Sequence, residues 1–289
     1  MKTVLVTGSS GALGKALTAS LAQEPDYRTI VTNRRGDDGG VLLDVRDSAL
    51  LADALGRAQP DLILHLAATF VHDFDEAYSV NVEATRQLLE VVQHSNSPTR
   101  VVLIGSAAEY GMVRPEENPI REDHVLRPVS IYGLTKAWQT QLAALYHARG
   151  VDVVVARIFN LDGPGVSERL FVGRLQRQIQ EVMAGRQSVI ELGSLSATRD
   201  YVSTEAAADQ VLAIAAHAES GDVYHVASGT PITMRKVLER YLSTNGLDVS
   251  VVSGAAELSN RTGIDVPAIY ADVTKTTQLL ELWRSSVEA

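Results

Sequence analysis

The chain has 289 residues, 45% of them apolar, enough to bury the core of one large α/β domain. It has no cysteine, which excludes disulfides, thiolate metal sites and cysteine nucleophiles together. A formal net charge of −9 argues against nucleic acid as a partner, and the seven histidines form no H-x-x-x-H pair, so no metal is expected.

Short apolar runs alternate with amphipathic stretches from the first residues onward. Strands are expected at 3–6, 29–31, 41–43, 62–64, 101–104 and 153–156, and helices at 13–22, 48–58, 75–94 and 132–148. That alternation predicts an α/β fold, a Rossmann-type doubly wound parallel sheet with helices on both faces. After Phe159 the pattern changes to helices at 168–184, 204–218 and 233–242 among short strands. Residues 1–158 are therefore expected to form mainly a dinucleotide-binding domain. Residues 159–289 are expected to form mainly a smaller substrate lobe, interleaved with the last strands of the sheet. Residues 113–129, rich in proline and charge, read as a long loop. No apolar run approaches a membrane span and the N-terminus enters a strand directly, so a cytoplasmic, unprocessed protein without a membrane partner is expected.

The first strand ends in Gly8-Ser9-Ser10-Gly11-Ala12-Leu13-Gly14. A strand, a glycine turn and a helix in that order bring backbone N–H groups to a pyrophosphate. Gly8, Ser10, Gly11, Ala12, Leu13 and Gly14 are the candidate contacts; an ordinary glycine-rich turn is the plainer reading. The second strand ends in Asn33-Arg34-Arg35, with no acid before Asp37. An acid there suits a ribose 2′-hydroxyl, whereas arginine suits a 2′-phosphate, so NADP(H) is expected over NAD(H), with Asn33 and Arg34 as contacts. Asp44-Val45 closes the third strand within reach of an adenine amino group. His65-Leu66-Ala67-Ala68 closes the fourth in small residues that allow a dinucleotide close. Either could equally be a plain strand end.

Tyr132-Gly133-Leu134-Thr135-Lys136 carries the most pointed chemistry. Positions i and i+4 share a helix face, and an ammonium there is expected to lower the phenol pKa and poise it for proton transfer. Ser106 follows the fifth strand, where open sheets hold their ligands.

Taken in order, the Gly8/Gly11/Gly14 frame, Asp44-Val45, His65-Leu66-Ala67-Ala68, Asn81-Val82-Glu83-Ala84-Thr85, Ser106, Tyr132 and Lys136 resemble the extended short-chain dehydrogenase/reductase family over nearly the whole chain. The resemblance implies Tyr132 as catalytic acid/base and Ser106 as holder of the reacting oxygen. It implies Lys136 on the nicotinamide ribose, and Asn81, Leu66, Ala67 and Ala68 beside the cofactor. Glu122-Asp123-His124-Val125-Leu126-Arg127-Pro128-Val129-Ser130, Arg157-Ile158-Phe159-Asn160 with Gly163-Pro164-Gly165, and Arg199-Asp200-Tyr201 resemble the nucleotide-sugar 4-keto-6-deoxyhexose reductases within it, of the GDP-4-keto-6-deoxymannose reductase kind. Asn160 and Arg199 would then grip a sugar-nucleotide diphosphate, and Arg157 would form an ion pair between lobes. Glu109 stays open between a sugar hydroxyl and a plain loop acid.

Ala107 and Ala108 stand where dehydratases of this family carry acids, and no cysteine serves ring epimerisation. Ile131 and Ile158 replace usual prolines, and the tail after Lys275 lacks a G-W-x-P pattern. The expectation is an NADPH-dependent ketoreductase acting on a nucleotide sugar. A 4-epimerase on the same scaffold and an NADP-sensing regulator without chemistry are the rivals. A homodimer through helices 75–94 and 132–148 is also expected, with Leu142, Leu145 and Tyr146 on the pairing surface.

Overall fold

The computed structural model describes residues 1–36, 39–95, 97–254 and 266–287; Asp37 lies outside them. The first half runs β1 (Lys2–Thr7), α1 (Ala12–Leu21), β2 (Tyr27–Asn33), β3 (Val41–Leu42), α2 (Ser48–Ala58), β4 (Leu62–His65) and α3 (Phe74–Tyr78). It continues through α4 (Ala84–Gln93), β5 (Arg100–Ser106), α5 (Ile131–His147), β6 (Val153–Ile158) and β7 (Asn160–Asp162). Then follow α6 (Phe171–Met183), β8 (Ile190–Leu192), β9 (Thr198–Ser203), α7 (Thr204–His217) and β10 (Val223–Val226). The chain closes with β11 (Pro231–Thr233), α8 (Met234–Thr244), β12 (Val252–Gly254) and α9 (Thr274–Val287).

Seven strands pair in the order β3-β2-β1-β4-β5-β6-β10, every pairing parallel. Successive side chains along a strand face opposite ways, and both faces are apolar because helices cover both. Val4, Val6, Leu62, Leu64, Val102 and Val154 meet Leu13, Leu17 and Leu21 of α1, Val211 of α7 and Leu279 of α9. Leu5, Ile63, Val101, Leu103, Val153 and Val155 meet Leu51 and Leu55 of α2, Leu88 and Leu89 of α4, and Tyr146 of α5. Tyr146, expected on a pairing surface, is therefore core. The large layer continues past residue 158, since α7 and β10 both build onto it.

Two small sheets stand apart. In one, β9 pairs parallel with β7 and antiparallel with β11; in the other, β8 pairs parallel with β12. Leu175 and Ile179 of α6 and Leu238 and Leu242 of α8 form a separate core with Ile190 and Leu192 of β8.

Two segments differ from the sequence reading. The helix expected over 75–94 is α3, a π-helical turn Ser79–Glu83, and α4. Periodicity carries no signal for that extra residue per turn, which tertiary hydrogen bonds of Asn81 favour. The loop at 113–129 is pinned: Ile120 N–H donates to Tyr270 O (3.0 Å), and Asp272 N–H to Ile120 O (2.8 Å). Among the described residues no helix is long and apolar enough to cross a membrane.

The small sheet is fastened to the large layer by Asp200, which is fully buried. Its Oδ1 accepts from Ser228 N–H and Oγ (both 2.7 Å), and its Oδ2 from Gly229 N–H (2.9 Å) and Ala271 N–H (3.3 Å). Removing a buried acceptor leaves each donor desolvated and unpaired. Asp200→Ala is expected to destabilise the fold by about 3 kcal/mol or more, read from urea unfolding; a loss under about 1 kcal/mol would show the knot to be dispensable.

Candidate active site

The ends of β1, β4 and β5 meet at the carboxyl edge of the sheet, where the crossing order changes from β2 to β4 around β1. Side chains cap α2, α3, α5, α7 and α8 at Asp47, Asp73, Ser130, Ser203 and Thr233. The N-terminus of α1, at Gly11, has no side-chain cap. Its first-turn N–H groups and the positive end of the helix dipole face outward, as an anion requires.

The three glycines do different jobs. Gly8 has φ +70°, and a Cβ there would lie 2.8 Å from Ala67 N. A Cβ on Gly14 would lie 2.5 Å from Gly8 O. Both are needed for the turn to fold. At Gly11 a Cβ would meet only Gly8 O at 3.5 Å, an ordinary contact. Gly11 is exposed and keeps its outer side open. The cradle fits a dinucleotide pyrophosphate, with Ser10 exposed beside it and Leu13 anchored in the core.

Ser106 ends β5, and Tyr132 opens α5 across from it. A Cβ on Gly133 would fall 2.3 Å from Ala108 O, so only glycine lets α5 come this near. Ser106 Oγ accepts from Ala108 N–H (3.2 Å), and the Ser106 hydroxyl is near enough to the Tyr132 phenol to lower its pKa. The Phe70 ring lies over Tyr132, centroids 4.4 Å apart. Lys136, one turn on, is buried and donates to Ile104 O and Gln139 Oε1.

The electrostatics depart from the expected ionised phenol. Burial raises the Tyr132 pKa above its usual value, the Ser106 hydrogen bond opposes this, and the Glu109 carboxylate adds to it. Burial brings Lys136 down to about 8 against the pull of Glu109. The phenol is thus held protonated near neutral pH, and the ammonium is directed to Ile104 and Gln139.

Glu109 is a buried ion pair, with no surface for a sugar hydroxyl. Its Oε1 accepts from Ser106 N–H (2.7 Å), and its Oε2 from Thr140 Oγ1 (2.7 Å) and from Arg157 Nη2 (2.9 Å) and Nε (3.1 Å). Arg157 accordingly pairs within the large sheet, between β6 and the turn after β5, and not between lobes. Its Nη1 donates to Tyr110 Oη (2.7 Å), which is bonded to buried His225.

The other expected residues divide. Arg34 is exposed at the end of β2, where Asn33 Oδ1 shapes the turn by accepting from Arg35 and Gly36 N–H (2.9 and 2.7 Å). Asp44 is engaged by Arg46, whose Nη2 lies 2.6 Å away, and Val45 lies in the core. Leu66 and Ala67 abut the Gly8 turn, with Ala68 exposed beyond them. Asn81 is fully buried and faces protein. Its Oδ1 accepts from Thr69 N–H (2.9 Å), and its Nδ2 donates to Thr69 O (3.1 Å) and Thr135 Oγ1 (3.0 Å). It fixes the Phe70 loop over Tyr132 instead of touching a cofactor. Asn160 Nδ2 donates to Asp200 O (2.9 Å), and Arg199 Nη1 to Thr198 O (2.8 Å) and Val266 O (2.7 Å).

Gln139 and Thr140 went unnoticed in the sequence reading, and Thr85 and Thr7 were read there only as parts of longer segments, although all join the network around the site. The available signal was polar residues on otherwise apolar faces: Gln139 and Thr140 lie three and four positions after Lys136.

Comparison with known proteins identifies the family and the fold. Residues 4–227 match the NAD dependent epimerase/dehydratase family. A GDP-6-deoxy-D-mannose reductase of Pseudomonas aeruginosa is 28% identical over 95% of this chain and 90% of its own. A dTDP-6-deoxy-L-talose 4-dehydrogenase (NAD(P)(+)) of Kitasatospora kifunensis is 29% identical over 94% and 87%. The structure of RMD from Pseudomonas aeruginosa complexed with NADPH superposes with a TM-score of 0.84 at 23% identity, covering 99% of this chain and all of that one, which establishes a shared fold.

The glycine roles separate by experiment. Gly8→Ala and Gly14→Ala are expected to lower the melting temperature by several degrees, because each Cβ meets backbone. Gly11→Ala is expected to fold within about 1 kcal/mol of the parent yet bind NADPH at least about tenfold more weakly, measured by fluorescence titration. Unchanged affinity in Gly11→Ala would remove the cradle.

Proposed function

Starting from the fact that the chain belongs to the NAD dependent epimerase/dehydratase family and is an NAD(P)-dependent oxidoreductase, we propose that it reduces the C4 keto group of a nucleotide-linked 4-keto-6-deoxyhexose. NADPH, when bound, supplies the hydride. The observation that carries the proposal is the close approach of α5 to the end of β5, which brings the Tyr132 phenol to the Ser106 hydroxyl at the carboxyl edge of the sheet that also holds the glycine cradle.

Ser106 and Tyr132 direct two hydroxyls at one substrate oxygen. As negative charge develops on that oxygen, Tyr132 gives up its proton and Ser106 holds the oxygen in place. A phenol kept protonated suits this direction of reaction, since its role begins with donation. The Lys136 ammonium, one helical turn away, would stabilise the tyrosinate, and its remaining N–H would be available to hold the nicotinamide ribose. Burial keeps these charges strong, because water is excluded from around them. Ala12, Leu13 and Gly14 offer N–H groups to the pyrophosphate. Arg34 takes the 2′-phosphate, which favours NADP(H), and Arg199 and Asn160 lie on the lobe that receives the sugar diphosphate.

The decisive assay follows absorbance at 340 nm with GDP- or dTDP-linked 4-keto-6-deoxy sugars. Net NADPH oxidation is expected, with Tyr132→Phe slowed about 10²–10⁴-fold while NADPH affinity stays within a few-fold. Arg34→Ala should narrow the preference for NADPH over NADH. Sugar isomerisation without cofactor consumption would replace this reading with a 4-epimerase, and binding without chemistry would replace it with a regulator.

The same reading includes a homodimer. Phe74 and Tyr78 of α3 are exposed and form one aromatic group with Trp138 of α5, centroids 6.1–6.3 Å apart. Leu145, further along α5, is also exposed. Two such faces would pair as a four-helix surface. Sedimentation at micromolar concentration should give twice the 31.1 kDa chain mass, and Trp138→Lys with Leu145→Lys should return it to a single chain.

A further inference from the structure

A buried run of polar side chains links Lys136 to the end of β1. Among the described residues, the Lys136 ammonium donates to Ile104 O and Gln139 Oε1. Three N–H donors less these two leave one for a ligand. Gln139 is itself buried, and its Nε2 donates to Thr85 Oγ1 (2.9 Å). The Thr85 hydroxyl donates in turn to Asn81 O (3.0 Å). His65 lies between Thr85 Oγ1 (3.4 Å from Nε2) and Thr7 Oγ1 (3.0 Å from Nδ1). Thr7 Oγ1 accepts from Ala67 N–H (3.2 Å), beside the Gly8 turn.

With the Thr85 hydroxyl given to Asn81 O, one assignment of hydrogens follows for the run. The Thr85 proton is committed to Asn81 O, so the His65 Nε2 facing it carries hydrogen, and the Thr7 hydroxyl donates to Nδ1. His65 is neutral, its pKa brought down to about 3 by burial and by the Lys136 charge. The same logic fixes the Gln139 amide. Turned the other way, its NH₂ would face the ammonium, and its oxygen would face a hydroxyl with no hydrogen to give. The ammonium, which can only donate, and Thr85, whose proton is given to Asn81 O, together fix which end of Gln139 meets the lysine.

We propose that Gln139 is a positioning residue that holds the Lys136 ammonium charged and in register, with Thr85 locking the amide in the accepting orientation. The proposal rests on the reading of Lys136 as the ammonium of the site. The titratable groups acting on it or on which it acts are Glu109 from the turn after β5, backed by Arg157, and His65 from β4, while Tyr132 opens the same helix one turn before it. Of these, Glu109 also favours the ammonium, so the acceptor at Gln139 shares that task with one carboxylate.

The test is a ¹³Cε-lysine NMR titration of the protein alone, practical because the chain has five lysines; Lys136→Arg identifies the resonance. Lys136 should titrate near 8 in the parent, about one unit lower in Gln139→Leu and higher than the parent in Gln139→Glu. Thr85→Val should shift it in the same direction as Gln139→Leu by a smaller amount, and Thr85→Ser should restore it. The threonine pair decides the matter if Gln139→Leu fails to fold. A packing role alone would leave the titration unmoved in all four variants, or place Lys136 with the exposed lysines near ~10.4, and either result overturns the proposal. The readout needs no substrate, so a wrong substrate assignment leaves it standing, and an unmoved resonance leaves the reductase reading standing.

Discussion

The buried carboxylate of Glu109 is the constraint on which the rest of the site depends. It binds the Ser106 backbone, the Thr140 hydroxyl and the Arg157 guanidinium at once. Those partners come from β5, α5 and β6, so one charge fixes the relative placement of three elements. It also acts on Tyr132 and Lys136 through space. A buried carboxylate without its guanidinium would be strongly unfavourable, and breaking such a pair is among the more damaging single changes a fold can suffer. Gly105 completes the arrangement, since a Cβ there would lie 2.7 Å from Glu109 Oε1.

Burial explains why the phenol is protonated and the lysine only weakly basic, and the Glu109 charge modulates both. Lys136 is buried, and Tyr132 is half-buried at the sheet edge. Burial disfavours tyrosinate and ammonium alike, while the Glu109 charge opposes the first and supports the second. The site is thereby set for donation at the phenol. The polar chain through Gln139, Thr85, His65 and Thr7 carries the same logic across the sheet to the glycine turn. Each of these side chains is hydrogen-bonded to the next, which favours a fixed geometry for such a network.

The layered fold was legible in the sequence for a simple reason. Parallel strands covered on both faces must be continuous apolar runs, and residues 62–64 or 101–104 can read as little else. The glycine frame was legible because backbone contact leaves no room for side chains. The roles of Glu109 and Asn81 were not legible. An acid three residues past a strand can face solvent, ligand or an arginine nearly fifty residues on, and local pattern treats these alike. The π-helical turn was equally hidden, since it answers to hydrogen bonds with Thr69 and Thr135, partners distant in sequence.

By itself the sequence determined the alternation of strands and helices, the glycine turn at the first strand end, and the placing of Tyr132 and Lys136 one helical turn apart. These depend on periodicity and on local backbone sterics, which act over a few residues. Tertiary structure alone decided that Glu109 is sealed against Arg157, that Asn81 holds a loop, and that Lys136 faces Gln139. Each of those outcomes turns on which distant side chain removes a polar group from water, and only the folded chain brings such groups together.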